Sequence, residues 1–257
     1  MAPQTLLLSG LVQVAAGLAF AYGGARFWRS RPASARHGAA RAFTLWWLVS
    51  GAYNVLAAAT AFGFADLDVH LAAQLVLVAL AAVCLAGLAY YFLYLASGSR
   101  AWLGPVVAFY AAVGGATLAY VLRCGPEGVL VTDWRVDLVY RDPLSPVATG
   151  IVLLFLLPQV AGALAYALLA RRAEDPVARF RMRLVGGATA AWFLAALAAE
   201  LWRHPFWQFM TRAVVGLAVA AAIVLAYRPR ATGAPVVGRE RRRATREALQ
   251  GRMRDLI

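Results

Sequence analysis

Lysine is absent from this chain of 257 residues: all 25 basic residues are arginine. Composition accounts for part of this, because alanine and arginine are abundant, but the chemical consequence is definite. Without a side-chain amine no Schiff base can form, so a retinal pigment is excluded whatever the helix count. Charge is scarce too. Only 14% of residues are Asp, Glu, Lys or Arg, where a soluble domain carries about a quarter. Two cysteines are too few for a disulfide framework. Cys84 falls inside an apolar run and reads as a small buried hydrophobe, while Cys124 follows the next run, so the two are expected far apart. His37, His70 and His204 fall in three different predicted loops, which leaves no metal motif. HExxH, GxSxG, a P-loop and paired intramembrane aspartates are all missing. No metal, cofactor or enzymatic activity is expected.

What the chain has is apolar sequence. Hydrophobic residues make up 62% of it, and the mean hydropathy is +0.66. Runs of about 20 apolar residues recur, the length that spans a bilayer as a helix. They are continuous rather than alternating, which disfavours a β-barrel. The expected fold is all-α, a polytopic membrane bundle of seven helices over 5–27, 42–64, 71–97, 103–122, 147–170, 182–202 and 206–227. The first arginine is Arg26, so the first run lacks the basic start of a cleaved signal peptide and is expected to be a true span.

Arginine placement sets an orientation. The connection after helix 1 holds Arg26, Arg29, Arg31, Arg36 and Arg41. Arg100 follows helix 3. Arg171, Arg172, Arg179, Arg181 and Arg183 follow helix 5, and nine more lie between Arg228 and Arg254. The opposite side holds Arg123, Arg135, Arg141, Arg203 and Arg212, and more of the acidic residues. The rule places the N-terminus outside and the C-terminus in the cytoplasm, and the expected location is the plasma (inner) membrane. The net charge of +13 then needs no nucleic acid to account for it.

Polar residues inside a membrane are costly and often functional. Helix direction puts Gln13, Asn54, Gln74, Tyr120, Glu200 and Arg212 in the outer half. At 1.5 Å per residue, Glu200 lies about 26 Å along helix 6 from Arg183, and Arg212 about 9 Å into helix 7 from Phe206. A tight turn joins these helices, so a Glu200–Arg212 ion pair is expected. The competing reading makes Glu200 the wet end of helix 6 and lets Arg212 snorkel. Between helices 4 and 5, Trp134, Val136, Leu138 and Tyr140 alternate with charged residues. That is strand periodicity, and a small β-hairpin is expected there, as a lid over a pocket or as a structural cap. The candidate ligand-binding residues are Gln13, Asn54, Gln74, Tyr120, Trp192, Glu200 and Arg212. A ligand of mixed polar and apolar character suits them.

Other features read as architecture. Pro158 should kink helix 5, with Gln159 available for a freed carbonyl. Phe43, Trp46 and Trp47, and again Tyr90, Tyr91 and Tyr94, read as interfacial aromatic belts. Glu174-Asp175-Pro176 reads as a solvated turn. Small residues such as Gly114, Gly115, Gly186 and Gly187 suit close helix packing. The basic tail over 231–257 reads as an amphipathic helix on anionic inner-leaflet lipids, or as a docking segment for a cytoplasmic partner.

The stretch from Arg36 to Trp47, the stretch from Tyr90 to Gly98, and Asp175-Pro-Val-Ala-Arg-Phe-Arg-Met-Arg183 carry a resemblance. In layout and aromatic placement the chain resembles the seven-transmembrane sensor regions of prokaryotic signalling proteins, such as seven-transmembrane histidine kinases. The resemblance implies a receptor-like protein that binds a ligand from outside. No kinase, cyclase or receiver sequence follows the tail, so the signal is expected to pass to a separate partner. A transporter or permease is the alternative, without the internal repeat or inner polar path common in that class. A non-catalytic subunit of a membrane complex is the third reading.

Overall fold

The helices begin and end where short polar residues, prolines and left-handed backbone permit. A computed structural model describes residues 4–30, 38–62, 66–140 and 146–226; the basic tail and its expected amphipathic helix lie outside them. Asp66 caps α3 (Leu67–Ser97) by accepting from Asp68 N and Val69 N, and Gly98, with φ 69°, closes it by donating to Tyr94 O. The helix therefore starts one turn before the apolar run, and His70 lies inside it, buried, not in a loop. Asp175 does the same for α6 (Pro176–Trp202), with Pro176 in the first turn. The Glu-Asp-Pro segment is thus a helix start, with the carboxylate taking two of the N–H groups that a helix N-terminus leaves unpaired.

The other helices are α1 (Gln4–Ser30), α2 (Gly38–Phe62), α4 (Leu103–Cys124) and α5 (Pro146–Leu169). The last, α7, has an α-helical start Pro205–Phe209, a π-helical stretch Met210–Val215 and an α-helical end Gly216–Ala226. All seven are long and apolar enough to cross a bilayer, and the chain is a multi-pass helical membrane protein. Helix α1 packs on α2, α2 on α3, α3 on α5, α5 on α6, α6 on α7, and α7 back on α1, so six helices close a ring. Helix α4 stands outside the ring against α3 and touches α5 at few points.

An aromatic seam fills the half of the ring nearer the arginine-rich connections. Phe20 of α1 meets Trp46 and Trp47 of α2 and Trp192 of α6 at centroid distances of 5.9, 5.1 and 5.6 Å. Phe43 stacks on Tyr91 of α3 at 4.3 Å. Phe43, Trp46, Trp47, Tyr90 and Tyr91 are buried. They form the interior, not an interfacial belt, because each finds aromatic or small partners on a neighbouring helix. Close approach depends on absent side chains. A Cβ on Gly17 would stand 2.9 Å from Gly51 O, and one on Gly51 would stand 2.9 Å from Gly17 O. At Gly186 a Cβ would meet Ala163 O at 2.6 Å. Main chains this near gain dispersion contacts where lipid offers no hydrophobic drive.

Gln159 is fully buried, and its Nε2 donates across the bundle to Leu85 O at 2.8 Å and Tyr110 Oη at 2.6 Å. It ties α5 to α3 and α4 rather than repairing its own helix beside Pro158. Cys84 is buried with its Sγ 3.0 Å from Ser50 Oγ; Cys124 is exposed, and neither is bridged.

Across the arginine-poor end of the bundle lies an antiparallel ribbon of β1 (Pro126–Val131) and β2 (Val136–Tyr140), with Val129 opposite Leu138 and Val131 opposite Val136. Thr132 closes its turn: Oγ1 donates to Arg135 O at 2.7 Å and accepts from Arg135 N at 3.1 Å. Trp134 and Arg135 therefore belong to the turn. The ribbon is anchored through Val136, which clusters with Leu6 and Ala61. It is also anchored through Trp134, whose ring lies 4.9 Å from Phe206 and 5.6 Å from Phe209. The Ser9 hydroxyl is shared between Leu6 O and Trp134 O, at 2.8 and 2.7 Å.

Candidate functional site

The turn between α6 and α7 is built by three consecutive residues. Arg203 takes φ 56°, the one non-glycine residue with positive φ among those described, and its N–H donates to Ala199 O at 2.9 Å. Glycine is the default at such a helix end; a side chain there costs about 1 kcal/mol. His204 is extended and Pro205 opens α7. The chain reverses at once, so the last turn of α6 faces the first turns of α7.

That reversal brings Glu200 and Arg212 into a charged hydrogen bond from Arg212 Nη2 to Glu200 Oε1. The other carboxylate oxygen accepts from Gln208 Nε2 at 3.0 Å. Gln208 Oε1 accepts from Arg135 Nη1, and Arg135 pairs with Asp137. One polar chain, Asp137–Arg135–Gln208–Glu200–Arg212, thus joins the ribbon to both helices. It makes chemical sense: a carboxylate at the edge of an apolar layer needs donors for both oxygens, and an amide can pass the linkage on by donating and accepting. Arg212 sits within the π-helical stretch of α7, a geometry frequent at functional positions. In the same stretch Thr211 O accepts from Trp192 Nε1 at 2.8 Å.

Beneath the ribbon is a cavity of about 400 Å³. Gln13, Asn54, Gln74, Tyr120, Glu200 and Arg212 line it together. Trp192 does not. Its ring is packed against Phe20 and Phe193 and its N–H is spent on α7, so it belongs to the aromatic seam. Asn54 Nδ2 donates to Ser50 O at 2.8 Å within its own helix. Gln13 Oε1 and the Tyr140 hydroxyl are buried and have no partner among the described residues. Burial, followed by the proximity of Cys124, Tyr120 and Asp137, pushes the Tyr140 hydroxyl from its ordinary 10.0 up to about 12.

The wall also contains residues that sequence reasoning passed over: His70, Arg135, Asp137, Tyr140, Arg203 and Gln208. His70 joins α3 to α2, with Nδ1 3.1 Å from Asp66 O and Nε2 3.1 Å from Thr60 O. One signal was available: Gln208 precedes Arg212 by four residues, the spacing that shares a helix face. No signal placed Arg203 in the wall, because its orientation follows from the left-handed backbone. Leu77 of α3, Val121 of α4, and Ala148, Ile151 and Val152 of α5 supply an apolar side. Over 146–158, α5 has no fully buried residue.

Compared with protein-family models and with curated proteins, the chain matches none.

Proposed function

We propose that the protein is a receptor-like membrane protein whose cavity receives a small ligand from the outer side, and that it passes the binding event to a separate cytoplasmic partner. The observation that carries this reading is the cavity itself. Its volume of about 400 Å³ is that of a small-molecule site, and six polar side chains from α1, α2, α3, α4, α6 and α7 converge on it. By the arginine rule this end faces outward and the arginine-rich connections face the cytoplasm of a cell whose inner membrane holds the protein. The aromatic seam from Phe20 to Tyr91 fills the opposite half, which favours a closed sensor over a conduit. The polar chain from Asp137 to Arg212 gives a route of response. A ligand that displaces one hydrogen bond in it shifts the ribbon, α6 and α7 together. On the inner side, the tail over 231–257 binds anionic lipid or the partner.

The test is extraction and mass spectrometry of the full chain purified in lipid nanodiscs. A discrete small molecule should accompany the wild type and be depleted from Glu200→Gln and Arg212→Gln at equal folded protein. Lowered stability in both variants, with no molecule retained by the wild type, makes the polar chain a helix clasp only. Uptake of the molecule into proteoliposomes assigns transport instead.

A further inference from the structure

We infer that the cavity takes a small monoanion with an apolar body, its acidic group held by Arg203; this rests on the reading of the cavity as a ligand site. Among the described residues, the charges on the wall cancel in pairs with one exception. Arg135 is matched by Asp137 and Arg212 by Glu200. Arg203 lines the same cavity and, among the described residues, has no carboxylate or hydrogen-bond partner for its guanidinium. One uncompensated cation suits one negative charge. A dianion would leave its second charge unmatched and would compete for arginines already committed to Asp137 and Glu200.

The position of Arg203 is a second observation. It occupies a left-handed backbone site, φ 56°, where glycine fits without strain. An arginine at this position of the wall carries a conformational cost, and such a cost persists where the side chain has a use. Around it the wall offers what an anion with an apolar body needs. Gln13 is 8% exposed with an unpartnered Oε1, an acceptor for a ligand hydroxyl or amide. Tyr140 offers an unpartnered hydroxyl as a donor. Val121, Ala148, Ile151 and Val152 form the apolar side between α4 and α5.

The experiment uses the full chain in phosphatidylcholine nanodiscs, with 3-hydroxydecanoate and its methyl ester as probes, isothermal calorimetry as readout, and empty nanodiscs as the blank. The acid should bind at least tenfold more tightly than the ester. Arg203→Gly should abolish that preference and leave ester binding unchanged, while Arg203→Lys keeps it within a few-fold. Because glycine favours the left-handed site, Arg203→Gly should melt no lower than the wild type, so a loss of binding is not a loss of fold. Tyr140→Phe should weaken the acid several-fold without changing the melting temperature. Equal binding of acid and ester, or unchanged acid binding by Arg203→Gly, overturns the monoanion. So does a co-purifying molecule that is cationic or uncharged, and in that case the ligand site itself stands. If neither probe binds and no molecule accompanies the protein, the ligand-site reading falls and the inference falls with it.

Discussion

Glu200 and Arg212 are two charges at the edge of an apolar layer, and their coupling can be measured. Glu200 is about a fifth exposed and Arg212 about a third. Removing one member of a fully buried pair costs about 3–5 kcal/mol, because the survivor stays charged without compensation. Partial access to water lowers this, and about 2–3 kcal/mol is expected for Arg212→Gln. The two single variants should differ. In Arg212→Gln the Glu200 carboxylate keeps only Gln208 as donor and, on a short stem, cannot leave the site. In Glu200→Gln the arginine can turn its long side chain toward the nearby aqueous boundary, so the loss should be nearer 1 kcal/mol, one hydrogen bond's worth. The double variant leaves two neutral amides and should be less destabilised than the sum of the singles, by about 1–2 kcal/mol of coupling. In mild detergent the assay is thermal unfolding followed by tryptophan fluorescence. At about 2–4 °C per kcal/mol, Arg212→Gln should lower the melting temperature by roughly 4–12 °C. Losses that add to within about 0.5 kcal/mol would refute the pairing and leave two independent charges that each reach water.

The ribbon should depend on its tryptophan. Trp134→Ala removes the contacts with Phe206 and Phe209 and is expected to cost about 3 kcal/mol, read as faster proteolysis within 126–140; Ser9→Ala loses one hydrogen bond to Trp134 O and should cost about 1 kcal/mol. Neighbouring glycines on α6 should behave oppositely. Gly186→Ala drives a Cβ into Ala163 O and should cost at least about 2 kcal/mol, whereas a Cβ at Gly187 meets nothing within 4 Å, and Gly187→Ala should be neutral or gain about 0.5–1 kcal/mol in the helix. A melting series on both variants checks the contrast. Tyr140 titrates higher folded than unfolded, so its neutral form contributes stability below pH 10 that is lost as pH rises through about 12. The fall in melting temperature over that window should be shallower in Tyr140→Phe, and an identical fall would show that the hydroxyl is not held in a buried setting.

The chain by itself determined how far along its helix each polar residue falls. A backbone in hydrocarbon must satisfy its own hydrogen bonds, so seven apolar runs can only be seven helices. The cost of charge in lipid then sorts residues along the helix axes. That alone put Gln13, Asn54, Gln74, Tyr120, Glu200 and Arg212 at one level, and the reversal at Arg203–Pro205 made Glu200 and Arg212 neighbours. What the chain could not determine was which way round each helix faces. In a membrane, lipid and protein interior are equally apolar, so a pattern of hydrophobic residues does not separate the buried face from the outer one. Phe43, Trp46, Trp47, Tyr90 and Tyr91 would be at home in an interfacial belt. Only the packing of α1, α2, α3 and α6 turned them inward. Trp192, expected on the cavity wall, packs instead against Phe20 and donates to Thr211 O. Gln159 crosses to α3 and α4 because those helices lie there. Arg135, Asp137, Gln208 and Arg203 join the cavity through the anchoring of a turn, the pitch of α7 and a left-handed residue. Depth is a property of each segment in its solvent; azimuth is a property of the segments in contact, and it is decided only when they pack.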